Sequence, residues 1–366
     1  MKRLAALVLV WLMVPVAASA LTNPTPGNGT CGKEYCYWET PMDISDPDTV
    51  WQVLTQPMTV VSGEQRTQVQ LMAQPSKDAD MVGEVTCDSQ GVHVLETLDN
   101  GWSLVECYSS SNRLSKLDVY GDLVQGYLPT EMLVERNTRM EYGLVVDKMT
   151  QRLYVFEAGK LLSTLRISTG KATEKMPQCD TNAGEFHLIS WVGTFVAESG
   201  AVCEYGIRFN DGDLIHGVPY YRLENGDRDY SACERSLGRA VSSGCIRIQR
   251  RRTPEGVNML WLWNQLFNMK RTKLIIWEDM PGRQMAIPEM DTPVYVLPGV
   301  SGAYHKAANC YDLDKSFFPM QEITYGQLED EAYIALKNCS FCNPPLRRAD
   351  IEKLNQKYAV QPADEP

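Results

Sequence analysis

Leu214-Ile215-His216-Gly217 and Ser242-Ser243-Gly244-Cys245-Ile246-Arg247 place a cysteine 29 positions after a histidine, with glycine before it and arginine two residues beyond. A thiolate, not a thiol, attacks an acyl carbon, so a working cysteine needs a neighbour that takes its proton and later returns it to the leaving amine. His216 is the candidate base. Gly244 lets the amides around Cys245 turn toward the oxygen of a tetrahedral intermediate, where each donor is worth roughly 3 kcal/mol. Arg247 offers a planar fork for a substrate carboxylate. The same residues also read as a disulfide half and a hydrogen-bonded core histidine, and spacing alone leaves both readings open.

The surrounding text favours the first. Leu214 to Gly217 and Leu237-Gly238-Arg239-Ala240-Val241-Ser242-Ser243-Gly244-Cys245-Ile246-Arg247-Ile248 resemble the active-site signature of the L,D-transpeptidases, the YkuD-like family of bacterial cell-wall enzymes. Upstream, Gly143 to Asp147, Gln151 to Phe156 and Gly159-Lys160 resemble its opening hairpin. Ser168-Thr169-Gly170-Lys171 and Ala183-Gly184-Glu185-Phe186-His187-Leu188 resemble its glycine turns. The resemblance implies Cys245 as nucleophile, His216 as base with the Gly217 carbonyl orienting its ring, and Gly244 with Cys245 as oxyanion donors. It further implies Arg247 as a grip on substrate or loop and Tyr205 as a wall of the donor cavity. Ser243 stands where the family often has histidine or arginine, so any help to the oxyanion or substrate from that position is in doubt. The segment from His216 to Cys245 is longer than usual by about ten residues. Residues 224–235, charged and containing Cys233, read as an insertion, either a lid or a solvated loop.

The chain opens with Lys2 and Arg3, an apolar run from Leu4 to Val14 and Ala18-Ser19-Ala20, the pattern of an export signal over residues 1–20. That run is too short for an ordinary membrane span, and no later stretch reaches the needed length of about 20 apolar residues. The expectation is a secreted or wall-associated protein without a transmembrane segment. Loss of Lys2 and Arg3 takes the formal charge from -11 to -13, which argues against nucleic acid as a partner. Residues 21–57 read as a tether rich in Pro, Gly, Asn and Thr, then Cys31 and Cys36, then a short helix from Asp46 to Leu54.

From 58 to 135 short β-type runs alternate with turns: Val69 to Leu71, Gly83 to Val85, Val92 to Val94, Trp102 to Val105 and Gln125 to Leu128. Leu71 to Pro75, Val82-Gly83, Asn100-Gly101-Trp102 and Gly126 to Pro129 resemble bacterial SH3-like domains, which implies a small barrel that binds wall peptide or glycan. Cys87 and Cys107 end neighbouring predicted strands and are candidates to pair. The segment 140–278 reads as mainly β, with one clear helix that starts at Thr253-Pro254-Glu255 and carries its apolar face from Met259 to Phe267. Cys179, Cys203 and Cys233 permit several pairings, and sequence cannot choose among them.

After a linker over 279–300, residues 301–345 place His305, Cys310, Cys339 and Cys342 in an H-x4-C and C-x2-C arrangement compatible with tetrahedral zinc. The pattern resembles small Cys/His modules of secreted bacterial proteins, and a helix from Tyr325 to Leu336 is expected to join its halves. Disulfides are the competing reading, since export favours them and setting Cys245 aside leaves an even ten of the eleven cysteines. A tail follows over 346–366.

The fold class expected is therefore mainly β: an SH3-like barrel, a YkuD-like catalytic domain with one helix, and a C-terminal Cys/His module. The activity implied is acyl transfer between peptidoglycan stem peptides through a Cys245 thioester, with no cofactor for catalysis. An L,D-carboxypeptidase and a non-catalytic wall-binding protein are the alternatives. Oligomeric state is not legible.

Overall fold

The structure, a computed structural model, describes residue 37 and residues 43–112, 114–115, 117–278, 283–297, 302–310 and 318–359. The export signal, the tether and Cys31 with Cys36 lie outside the described residues. Among the described residues no helix is long and apolar enough to cross a membrane.

Helix α1 (Pro47–Thr55) starts where expected: the Asp46 side chain accepts from the Thr49 amide and proline occupies the first turn. The first β module follows, with β1 (Met58–Val61), β2 (Gln68–Met72), β3 (Met81–Thr86), β4 (His93–Thr97), β5 (Trp102–Ser110), β6 (Tyr120–Pro129) and β7 (Leu133–Arg136). Five of these form an antiparallel sheet in the order β3-β2-β6-β5-β4, while β1 pairs with β7. Leu71, Val85, Val105 and Leu128 fill its core together with Cys87 and Cys107. The expected bridge between those two cysteines is not formed: both thiols are free and packed as small apolar groups.

The next module carries β8 (Tyr142–Asp147), β9 (Arg152–Glu157), β10 (Lys160–Ser168), β11 (Gly184–His187), β12 (Ser190–Val196), β13 (Val202–Arg208), β14 (Leu214–Gly217), β15 (Tyr221–Arg222), β16 (Arg228–Asp229), α2 (Ser231–Glu234), β17 (Ile246–Ile248), α3 (Met259–Leu266) and β18 (Lys273–Trp277). Nine of its strands share one sheet in the order β11-β18-β8-β9-β10-β17-β14-β13-β12. The apolar runs at β8 and β18 arise because both faces are covered. Leu144, Val146, Leu274 and Ile276 enter the main core with α3, whereas Val145, Ile275 and Trp277 pack under α1.

Helix α3 begins later than its sequence signal. Asn258, not Thr253, caps it by accepting from the Trp261 amide at 3.0 Å. Thr253 to Gly256 instead closes a turn, since Gly256 lies at φ 85° and its amide reaches the Thr253 carbonyl.

The C-terminal module is built from β19 (Pro293–Val296), β20 (Ala303–Tyr304), β21 (Gln321–Thr324), β22 (Lys337–Asn338) and α4 (Arg348–Lys357). The helix expected from Tyr325 to Leu336 is only a 3-10 turn, Gly326–Glu329. The Leu328 carbonyl, which such a helix would use internally, accepts from the Arg347 guanidinium instead, as do the carbonyls of Tyr333 and Leu336. Burial of Leu328 and Leu336 in one small core then favours the looped path.

Candidate active site

In the parallel pair β14–β17, Ile215 lies beside Ile246 and His216 beside Arg247. Cross-strand partners share a face. Ile215 and Ile246 belong to the main core, so His216 and Arg247 lie on the opposite face. Alternation along two short strands thus puts base and arginine side by side, and Cys245 enters just before β17.

The turn carrying Cys245 has little freedom. Gly244 sits at φ 123°, and a Cβ there would come 2.3 Å from Oδ1 of Asp213. The Gly244 carbonyl accepts from Thr181 Oγ1 at 2.5 Å, and the Ser242 hydroxyl donates to the Cys245 carbonyl at 2.5 Å. The turn is also laced to Thr169 and Lys171, because the Val241 and Ser242 amides reach the Thr169 carbonyl and the Lys171 amide reaches that of Ser242.

His216, Ser243, Cys245 and Arg247 all line one cavity of about 580 Å³. His216 Nδ1 lies 2.7 Å from the Gly217 carbonyl; Nδ1 donates there, leaving Nε2 as the basic nitrogen. The ring is set edge-on to Phe195, with centroids 5.4 Å apart. Tyr205 is placed differently: its ring leans on Trp263 of α3, with centroids 6.1 Å apart. The Gly244 amide is directed at Ser242 Oγ, 3.3 Å away.

Residues 141–296 match the model of the YkuD family, described as the L,D-transpeptidase catalytic domain. The matched segment is the one that holds His216, Cys245 and Arg247. The chain has no match among curated proteins. Among solved structures, it is similar to an L,D-transpeptidase from Mycobacterium smegmatis at 16% identity, covering 62% of this chain and 92% of the other, with a TM-score of 0.30. An L,D-transpeptidase from Xylanimonas cellulosilytica shows 17% identity over 39% of this chain and 64% of its own, with a TM-score of 0.27. L,D-transpeptidase 3 from Mycobacterium tuberculosis, in complex with a faropenem-derived adduct, shows 14% identity, covers 62% and 92%, and has a TM-score of 0.30.

Several residues lining the cavity carried no sequence signal. Ser110, Ser111 and Asn112 come from the preceding β module and form part of the wall. They are joined to the matched segment by Asn112 Nδ2 donating to Asp211 Oδ2 at 2.7 Å and Asn210 Nδ2 donating to Ser110 Oγ at 3.1 Å. Cys179, Cys203 and Cys233 line the same cavity, and all three thiols are free. Residues 224–235, read as a lid or a solvated loop, are partly structured: they contain β16 and α2 and bury Cys233 against Val218 and Leu237.

Electrostatically the resting pair is neutral. Burial pushes the Cys245 thiol up to about 12, the Asp213 carboxylate adds to this, and a hydrogen bond from the Leu214 amide opposes it. Burial likewise takes His216 down to about 4, with Arg247 adding to the fall and the Gly217 bond opposing it. Desolvation disfavours both charged forms. Proton transfer has to accompany attack.

Asp213 is raised to about 7 by burial and by the charges of Asp180 and Asp211. Its ionisation above that pH opposes thiolate formation. Asp213→Asn should therefore speed alkylation of Cys245 by iodoacetamide roughly 3- to 10-fold at pH about 9, with the two proteins converging below pH about 6. A ratio independent of pH would rule out this coupling.

Tail residues His305, Cys310, Cys339 and Cys342 are all buried, and their donor atoms lie within 4.8 Å of one another. The structure thus assembles a candidate metal site in the C-terminal module, and none of its thiols is bridged.

Proposed function

We propose that the protein is an exported peptidoglycan L,D-transpeptidase that works through a Cys245 thioester. The observation that carries this is the convergence of Cys245, His216 and Arg247 on one cavity inside the segment matching the YkuD domain. In this reading His216 Nε2 takes the thiol proton as sulfur attacks the carbonyl of the third residue of a tetrapeptide stem. The Cys245 amide receives the oxyanion, and the Gly244 amide joins it only by leaving Ser242 Oγ. The C–N bond then breaks, and terminal D-alanine leaves with the proton from His216. An amine of a neighbouring stem attacks the thioester, the C–S bond breaks, and Cys245 regains its proton. Arg247 supports this reading because its Nε is buried without a hydrogen-bond partner, a donor suited to a substrate carboxylate.

No organic cofactor enters these steps. The Cys/His cluster of the C-terminal module reads as a structural zinc site, and the β2–β6 module as a wall-binding element beside the cavity.

The test is mass spectrometry of the signal-free chain incubated with a stem tetrapeptide, with and without an amine acceptor. A cross-linked dimer formed only with the amine supports transfer. Tripeptide with free D-alanine in both conditions makes the protein a carboxypeptidase. No acyl-enzyme and no product, with the Cys245 thiol shown to be free, would leave only a wall-binding role.

A further inference from the structure

The C-terminal cluster has the dimensions of an ion-bearing site. Tetrahedral zinc, with Zn–S near 2.3 Å and Zn–N near 2.0 Å, sets sulfur–sulfur edges of about 3.8 Å and sulfur–nitrogen edges of about 3.5 Å. Cys310 Sγ and Cys339 Sγ are 3.9 Å apart, and Cys342 Sγ is 3.7 Å from His305 Nδ1. Sulfurs at that separation are far from a disulfide bond of about 2.05 Å. Two backbone amides already favour thiolates: Phe341 N lies 3.4 Å from Cys339 Sγ, and Lys306 N lies 3.4 Å from Cys342 Sγ. Met320 and Phe341, with Phe318 and Leu297 beside them, surround the cluster with apolar groups. Thiolates desolvated in this way need a compensating cation.

The residue after the last ligand leaves the cluster and enters the catalytic module. Asn343 has φ 47°, and its Nδ2 donates to the Thr164 carbonyl of β10 at 3.0 Å and to Gln249 Oε1 at 3.4 Å. Gln249 directly follows β17, and its Oε1 also accepts from the Arg166 amide at 2.7 Å. Strands β10 and β17 are paired there, Ile167 with Ile248 and Ser168 with Arg247. The knuckle is closed on the cluster side by the Asn343 amide donating to the Cys339 carbonyl at 3.0 Å. A metal that holds Cys339 and Cys342 together therefore holds Asn343 in the left-handed conformation that aims its amide at the strand pair carrying Arg247.

We propose that metal occupancy of the His305, Cys310, Cys339 and Cys342 cluster clamps the C-terminal module, through Asn343, onto the β10–β17 pair behind Cys245. This rests on the zinc reading of the cluster. Asn343 is a positioning residue that touches neither substrate nor nucleophile.

The full signal-free chain is purified with zinc, its metal content is measured, and the zinc is exchanged for cobalt(II). Hydrogen exchange is then followed over residues 160–168 and 246–249. Three samples are compared: the loaded protein, the chelated protein and Asn343→Gly, a change that keeps the left-handed backbone and deletes only the amide. The expected results are about one zinc per chain and a thiolate-to-cobalt charge-transfer band. Exchange in both segments should rise about tenfold on chelation and again in metal-loaded Asn343→Gly, the scale of one or two lost hydrogen bonds. Carbapenem acylation of Cys245 should slow in parallel. Absence of zinc and of the cobalt band overturns the zinc reading. Stoichiometric zinc with unchanged exchange in Asn343→Gly overturns the clamp and leaves the zinc standing.

Discussion

Cys245→Ala removes acyl transfer, with turnover falling by a factor of roughly 10^4 or more, because the nucleophile of a catalytic constellation has no substitute within it. The fold should survive, since Cys245 is only partly buried at the cavity wall and the Gly244 and Cys245 carbonyls are held by the Thr181 and Ser242 hydroxyls. The site makes this a sharper test than usual, because Cys179, Cys203 and Cys233 line the same cavity with free thiols. Burial raises Cys203, Cys233 and Cys245 alike, so selectivity for Cys245 should rest on proton transfer to His216 and not on a ready thiolate. Intact-mass and peptide mapping after exposure to a carbapenem should show one adduct, on Cys245, absent from the variant. An adduct that persists in Cys245→Ala on any of the other three thiols would falsify the assignment of the nucleophile.

His216→Gln changes the shape of the pH profile as well as its height. With the imidazole at about 4 and the thiol at about 12, the wild-type site is neutral across the intervening range and attacks through proton transfer to Nε2. Its acylation rate should rise as pH passes the imidazole value, where the base loses its proton, and then run nearly flat, apart from the retardation that begins as Asp213 ionises near 7. Without the imidazole only spontaneously ionised thiol reacts. The variant's rate should then be lower by roughly 10^2- to 10^4-fold at neutral pH and climb about tenfold per pH unit toward the thiol range. Single-turnover carbapenem acylation between pH about 3 and 9 measures both curves. Parallel profiles, with the variant merely lower, would mean that His216 positions the loop without moving the proton.

Much of this site was legible because its determinants are local. The left-handed turn at Gly244, the alternation that sets His216 and Arg247 on one face, and the apolar strands at β8 and β18 are all written in short stretches of chain. The Asp46 cap of α1 belongs with them, since a side chain and an amide three residues on suffice to make it. The H-x4-C and C-x2-C spacings likewise named the four residues that the fold brings together in the C-terminal module. Local signals failed where a partner far along the chain competed for the same groups. Arg347 took the Leu328 carbonyl that a helix at Tyr325 would have needed, and Gly256 closed a turn ahead of α3.

The sequence by itself determined the chemical identities in the site: a cysteine, a histidine and an arginine with the glycine turn that carries them, set in a mainly β chain. Tertiary structure alone decided how those groups are charged, what encloses them and which cysteines stay apart. Desolvation, which keeps thiol and imidazole neutral, depends on everything packed around them, including the preceding module's Ser110 to Asn112. Asp213 became part of the site through its approach to Gly244, across a separation no periodicity encodes. Parity counting favoured five disulfides, but a bond between sulfurs needs contact at about 2.05 Å, and the fold instead holds three of them with His305 in the arrangement of a metal site.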